Sequence, residues 1–458
     1  MSDVFIDSDD KAVPITAVDK RGLKAWLKDQ DERIANWVAA TGFRPRAGRS
    51  CLVPDKHGEL AHVLVGKGEG NGLWDYAGLA STLPQGSYRI ATKLNAETAS
   101  LAALGWGLGT YKFDRYKEAT KKERKLIWPK AADKTFVNAA RDATFLVRTL
   151  INTPAEDMGP EQLSAAAKEV ADAHGAEFAE IVGEDLLRQG YPAVHAIGRA
   201  SSRPPRLIDI RWGDEKDPKV TLVGKGVCFD TGGLDLKQAA GMLRMKKDMG
   251  GGAHALGVAK MIMATGLKAR IRVLVPAVEN SVSGNALRPL DIIKTRKGLT
   301  VEIGNTDAEG RVILSDALAE GASESPDLMI DFATLTGAAR VALGPDLPAF
   351  FCNDEAFAAE FLAAGVDVGD PVWRMPLWPG YRTNVESKTA DLTNAPEGGF
   401  AGAITAALFL ERFAAPVAPW VHLDIMAWNA SNRPGRPEGG DAISMRAAYE
   451  AIKRRLES

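Results

Sequence analysis

A two-domain α/β architecture is what this sequence predicts: a small N-terminal α/β domain and a larger C-terminal domain whose mixed central sheet is flanked by helices. Three observations predict it. The chain has 458 residues, more than one hydrophobic core ordinarily serves. From residue 155 onward, short apolar runs of strand character alternate with segments of helical period, the signature of a largely parallel or mixed sheet. Before residue 128 the apolar runs are short and broken by turns.

The expected division is residues 1–130, a connecting helix over 131–151, and residues 152–458. In the first part, 51–54 and 61–65 read as strands and 97–104 as a helix. The charged run 117–125 reads as a solvated loop or helix face. Phe136, Ala139, Ala143, Leu146, Val147 and Leu150 recur at helical spacing, and Asn152-Thr-Pro154 ends that helix, because proline biases the residue before it away from helix. Beyond it, helices are expected over 161–173, 253–264, 312–322 and 402–413. Strands are expected over 207–212, 220–223, 271–276 and 328–332. Ligands of such sheets sit beyond the carboxyl ends of the strands, and the residues with chemistry fall there.

Bulk composition narrows the function. The sequence is 45% hydrophobic and 25% charged, as for a soluble globular protein. A formal charge of −2 provides no general field for nucleic acid or an anionic membrane. Cys51, Cys228 and Cys352 are scattered with no CxxC, which points to a reducing compartment and away from a thiolate zinc site. The acidic first ten residues carry no signal-peptide core, and no apolar run reaches membrane-spanning length, so a cytoplasmic location is expected.

The chemistry concentrates in two clusters. Asn305-Thr306-Asp307-Ala308-Glu309-Gly310-Arg311 sets two carboxylates and an arginine in a polar turn, with an apolar helical pattern directly behind. Carboxylates two residues apart can share a pair of metal ions, and a guanidinium beside them can clamp an anion. The second cluster follows the strand at 220–223. Lys225, Asp230, Lys237 and Asp248 are set among glycines in a presumed strand-to-helix connection. Such a loop could cradle phosphate, yet GxxxxGK[ST] and GxGxxG are both absent, which leaves nucleotide readings weak. Asp230, Asp248, Asp307 and Glu309 supply four carboxylates, enough for a two-metal site without histidine. The six histidines form no HExxH, and GxSxG is absent too. His254 reads as a core or surface residue, and His422 as satisfying buried backbone beside a strand.

Gly-Lys-Gly-x-x-Phe-Asp-x-Gly-Gly-x-x-x-Lys, Met-Lys-x-Asp-Met and Asn-Thr-Asp-Ala-Glu-Gly-Arg, in this order, closely resemble the leucyl aminopeptidase (cytosol aminopeptidase) family of two-metal exopeptidases. Tyr111-Lys-Phe-Asp-Arg-Tyr-Lys117, Asn152-Thr-Pro-Ala155, Ala333-Thr-Leu-Thr-Gly337, Gly402-Ala-Ile-Thr-Ala406 and His422-Leu-Asp-Ile425 add to the resemblance. It spans about residue 105 to the C-terminus, while the first hundred residues match poorly, as is usual for this family's variable N-terminal domain.

The resemblance implies two divalent metal ions per subunit, Zn2+ and/or Mn2+. Lys225, Asp230, Asp248 and Glu309 would hold one. Asp230, Asp307 and Glu309, with the Asp307 carbonyl, would hold the other. Lys225 can ligate only as a neutral amine, which nearby dications favour. Water shared by the metals would attack the first peptide bond, with Lys237 stabilising the oxyanion. Arg311 would hold a bicarbonate-like anion that carries the proton, aided by backbone near Leu335. Met245, Thr334 and Gly337 would line the pocket for the first side chain, with Met426 nearby and narrowing or reshaping it where family members often have a small residue. The substrates implied are peptides with a free N-terminus, preferably leucine or another apolar residue, and the assembly implied is a homohexamer. Two other readings stand beside this one: a catalytically weak family member that binds or scaffolds, and a phosphate-binding transferase built on residues 224–233.

Overall fold

The computed structural model describes residues 4–118 and 123–457, so the first three residues of the acidic N-terminus and 119–122 of the charged run lie outside it. The chain divides into two units, one of residues up to Phe145 with Ala430–Glu438, the other of Leu146–Asn429 with Gly439–Ser458.

The first unit is built on a six-stranded sheet in the order Phe5–Ile6, Arg124–Ile127, Gly86–Ile90, Val13–Val18, Leu60–Gly66, Ser50–Pro54. Its pairings are parallel except the last, where 50–54 runs antiparallel to 60–66. Helices Lys20–Lys28, Glu32–Ala40 and Ala96–Leu108 start where Asp19, Asp31 and Asn95 each accept a backbone N–H of the first turn. Val18, Val38, Cys51, Val53 and Leu64 form one of its apolar clusters.

The second unit carries a nine-stranded mixed sheet. Its main path runs Trp373–Arg374, Ala349–Cys352, Trp420–Asp424, Leu328–Ala333, Lys219–Gly224, Arg270–Asn280, Arg206–Trp212, Glu177–Val182. The four central strands, from 420–424 to 270–280, are mutually parallel. They read as nearly unbroken apolar runs because helices cover both faces. Met329, Ile330, Phe332, Val220, Leu222 and Val223 are all buried.

Helices form where expected, with longer bounds: Lys134–Asn152, Pro160–Ala173, Gly250–Thr265, Glu309–Ser323 and Gly402–Ala414. The glycine-rich connection corrects the expectation. It contains a further strand, Gly226–Asp230, which pairs parallel with 270–280, and its Val227 and Cys228 are fully buried. Two apolar residues were enough for a strand that the surrounding glycines concealed. Among the described residues no helix is long and apolar enough to cross a membrane.

The order of connections creates a crevice. From 219–224 the chain crosses to its neighbour 270–280 on one side, and later returns to its other neighbour, 328–333. Ligand sites of open α/β sheets form at the carboxyl ends of strands where the winding reverses in this way.

Candidate metal centre

Lys225 stands directly beyond strand 219–224, and its N–H donates to the carbonyl of Phe332 at 2.9 Å. Helix Gly250–Thr265 begins against the same strand ends. A Cβ on Gly251 would lie 2.1 Å from the Phe332 carbonyl oxygen, so only glycine allows this approach. The turn before it, Met245–Met249, thereby delivers Asp248 to Lys225.

Residues 305–311 assemble from the other side. Asn305 accepts the N–H of Asp307 at 2.7 Å, an Asx turn, and Thr306 is tied to Asp235 through its N–H at 2.7 Å. Asn394 grips the segment, accepting from Gly304 at 2.8 Å and donating to the Asn305 carbonyl at 2.8 Å. Helix Glu309–Ser323 starts with Glu309, whose charge suits a helix N-terminus. Gly310 is glycine for a visible reason: a Cβ there would meet Lys225 Cε at 2.5 Å.

The carboxylates then fall into two halves. In the inner half, the Lys225 ammonium lies 2.7 Å from Asp248 Oδ2 and 2.8 Å from Glu309 Oε1, with all three side chains almost fully sealed from solvent. It also donates to the Thr334 carbonyl at 3.1 Å, while Thr334 Oγ1 donates to Asp248 Oδ1 at 2.7 Å. In the outer half, Lys237 Nζ lies 2.8 Å from Asp230 Oδ2 and also contacts Asp307. Both Lys237 and Asp307 reach solvent. Asp230, Asp307 and Glu309 link the halves, because each offers a ligand oxygen within 4.8 Å of the others. Asn280, at the end of strand 270–280, donates to Asp230 Oδ1 at 2.9 Å and to the Thr306 carbonyl at 3.1 Å, holding the two clusters in register.

The electrostatics ask for more positive charge than the protein supplies. Four carboxylates face two ammonium groups. Burial, then the charge of Asp230, pushes Asp307 up to about 6 and Glu309 up to about 8. Burial alone would lower the Lys225 ammonium, but Asp248, Glu309 and Asp230 together hold it above the ordinary lysine value. Lys237 behaves likewise beside Asp230 and Asp307. Asp248 Oδ2, though 2.7 Å from the ammonium, has no aligned hydrogen bond. An all-oxygen donor set with one amine, short of about two positive charges, fits divalent cations.

These residues open on a cavity of about 440 Å³, lined also by Met245, Lys247, Arg311, the 334–338 loop, Arg340 and residues 395–402. Arg311 is buried in the first helical turn, where its charge opposes the helix dipole. One Nη donates to the Asn394 carbonyl at 2.8 Å and Nε has no partner. Burial pushes its guanidinium down to about 10, against the pull of Asp424 and Glu309. Of the residues expected in the substrate pocket, Met245, Thr334, Leu335 and Gly337 line this cavity. Met426 is half-buried and is not among the lining residues. The Leu335 N–H, expected to aid an anion at Arg311, donates to Asp424 Oδ1 at 3.1 Å.

Sequence reasoning missed several participants. Asp424, at the carboxyl end of strand 420–424, fixes the 334–336 loop through the N–H groups of Leu335 and Thr336 and the Thr336 hydroxyl. A charged residue ending an apolar run, His-Leu-Asp-Ile, was the available signal. Asn280 and Asn394 gave none. Lys247, buried beside Asp248, was hidden in a pair of lysines; burial pulls its ammonium down to about 8. His422 satisfies no backbone: Nδ1 meets Asp331 Oδ1 at 2.6 Å, both groups fully buried. His254 is a core residue, linking the Gly250 carbonyl to the Ile443 N–H.

Comparison with known proteins places this geometry. A family model described as the cytosol aminopeptidase family, catalytic domain, matches residues 145–448. Another, the M17 aminopeptidase N-terminal domain, matches residues 13–129, so the likeness extends into the part whose motifs matched poorly. A probable cytosol aminopeptidase of Sinorhizobium medicae is 36% identical over 96% of this chain and 94% of its own length. Peptidase B of Serratia proteamaculans is 39% identical over 74% of this chain and 82% of its own. The crystal structure of the cytosol aminopeptidase from Coxiella burnetii superposes with a TM-score of 0.95 at 47% identity, covering 99% of both chains. The bottromycin maturation enzyme BotP in complex with Mn gives 0.87 at 32% identity, covering 97% of this chain and 99% of that one.

Proposed function

The chain belongs to the cytosol aminopeptidase family and is therefore a peptide hydrolase, and from that premise we propose that it removes the first residue of peptides at a centre of two divalent cations. One observation carries the reading: Asp230, Asp307 and Glu309 bring ligand oxygens within 4.8 Å of one another, with Lys225 and Asp248 against the buried side. Lys225, Asp230, Asp248 and Glu309 would hold one cation, and Asp230, Glu309 and Asp307 with its carbonyl the other. Bound there, zinc or manganese would bring the acidity of water to near pH ~7 and polarise the scissile carbonyl.

The chain's own residues supply the rest. Asp248 lies on the buried side of the cavity and would anchor the free α-amino group, which confines cleavage to the first peptide bond. Lys237 faces the same cavity and would donate to the carbonyl oxygen as its charge develops, where a fixed cation is most effective. Arg311 keeps its proton at working pH. Its unpartnered Nε and its place in the cavity lining suit a bicarbonate-like anion whose oxygen would relay the proton. Met245, Thr334 and Gly337 would border the first side chain, leucine or another apolar residue.

The same reading takes residues 152–458 as the catalytic domain, joined by 131–151 to an N-terminal domain of 1–130. It also includes a homohexameric assembly, which sedimentation would test, in the cytoplasm. For the chemistry, chelator-treated protein is given leucyl-p-nitroanilide with and without Zn2+ or Mn2+. Turnover that requires the metal is expected, and metal-independent or absent turnover sinks the proposal.

A further inference from the structure

Lys247 has no role in the chemistry described so far. It shares the turn Met245–Met249 with Met245 and Asp248, is 2% exposed, and lines the cavity. Among the described residues, no carboxylate lies within 4.0 Å of its ammonium, and no hydrogen bond satisfies it. A buried ammonium in this condition is costly unless something it faces provides the missing charge. Arg340, half-buried on the helix Gly337–Leu343, lines the same cavity, and its guanidinium makes no hydrogen bond or ion pair with a described residue. Two unneutralised cations thus border the part of the cavity that also contains Met245, Thr334 and Gly337.

We infer that Lys247, with Arg340 beside it, makes this a pocket for an acidic first side chain, so that the enzyme removes N-terminal glutamate or aspartate as well as apolar residues. The inference rests on the aminopeptidase reading above. With the substrate's α-amino group at Asp248, its first side chain begins one residue from Lys247. The stem of glutamate would lie along Met245 and its carboxylate would meet the ammonium. Leucine has a similar volume and fills the same space without using the charge.

The test uses the full-length enzyme loaded with Mn2+ and needs no variant at first. Glutamyl- and glutaminyl-p-nitroanilide have nearly the same shape and differ in charge. Wild type is expected to favour the glutamyl substrate in kcat/KM; preference for glutaminyl overturns the inference. In Lys247→Met, the ratio of glutamyl to leucyl kcat/KM is expected to fall roughly tenfold or more, mainly through KM, as when a charged hydrogen bond is removed. Lys247→Arg should keep most of the ratio. An equal loss on both substrates would show that Lys247 only supports the turn. A loss that follows the peptide's C-terminal carboxylate, seen by comparing leucylglycine with its amide, would move the cation to a different part of the substrate. Leucyl turnover without glutamyl turnover in wild type refutes the inference and leaves the aminopeptidase reading intact. No turnover of any substrate refutes both.

Discussion

The centre contains the same motif twice, a lysine between two carboxylates, and its two copies differ in their access to water. Lys225, Asp248 and Glu309 form a sealed half, with side chains at most 3% exposed. Lys237 and Asp307 form an open half, at 15% and 32%. Asp230 and Glu309 stand between them. The same residue types therefore take on different tasks. In the sealed half, charge is expensive and has to be balanced by a bound cation. In the open half, an ammonium can retain its proton and turn toward substrate.

The division can be broken first at the shared residue. Glu309→Gln should empty both halves. Metal content by mass spectrometry should fall toward zero, and kcat/KM by roughly a thousandfold or more, since neither cation keeps its bridging ligand. Retention of one full equivalent of metal would show that Glu309 is not shared. The lysines separate the halves more sharply. Lys225→Met is expected to lose one metal equivalent. Lys237→Met should keep both, with kcat lowered about a hundred- to a thousandfold, the scale of a lost oxyanion donor. If Lys237→Met also sheds metal, the open half is a metal site in its own right. Arg311→Ala should preserve metal content and slow turnover by about ten- to a hundredfold, as a lost proton relay does. Metal loss there would join Arg311 to the structural framework.

The smallest effect is on metal uptake against pH. Glu309 is pushed up to about 8 and Lys225 above its ordinary value, so at pH 7 both hold protons that a cation must displace. Asp307, at about 6, has already lost most of its own. Affinity in both halves should rise with pH, and between about pH 6.5 and 8 it should rise more steeply in the sealed half. Calorimetry in buffers of different ionisation enthalpy counts the protons released. Equal counts for the two binding events would remove the distinction.

Much of this site was legible in the sequence, for a physical reason. Ligands must be specific residue types at specific spacings, and Gly251 and Gly310 have to be glycine because backbone and Lys225 occupy the space a Cβ would need. The long helices and central strands were legible through their apolar periodicity. What escaped was of two kinds. Strands 13–18, 86–90 and 124–127 are short and carry polar residues, so no periodic signal rises above the background. Asn280, Asn394 and Asp424 act by holding backbone in place, which many residue types could do elsewhere, so their identity reveals nothing until the fold brings them to the centre. Lys247 escaped because a lysine next to a lysine reads as surface.

The strand pairing beneath the centre has a consequence for how the molecule is made and unmade. Strands 219–224 and 328–333 lie side by side, Val223 opposite Asp331, although more than a hundred residues separate them. Strand 270–280 occupies the other flank of 219–224. Lys225 and Glu309 therefore approach one another only when contacts of long sequence separation have closed, the slow part of folding for such topologies. A chain still being synthesised has no competent site, and local fraying of one helix is not enough to release a cation. Cations that bind only the folded chain stabilise it by mass action. Their rate of escape in excess chelator should then track global unfolding, making the bound metal a clock for the opening of the whole sheet.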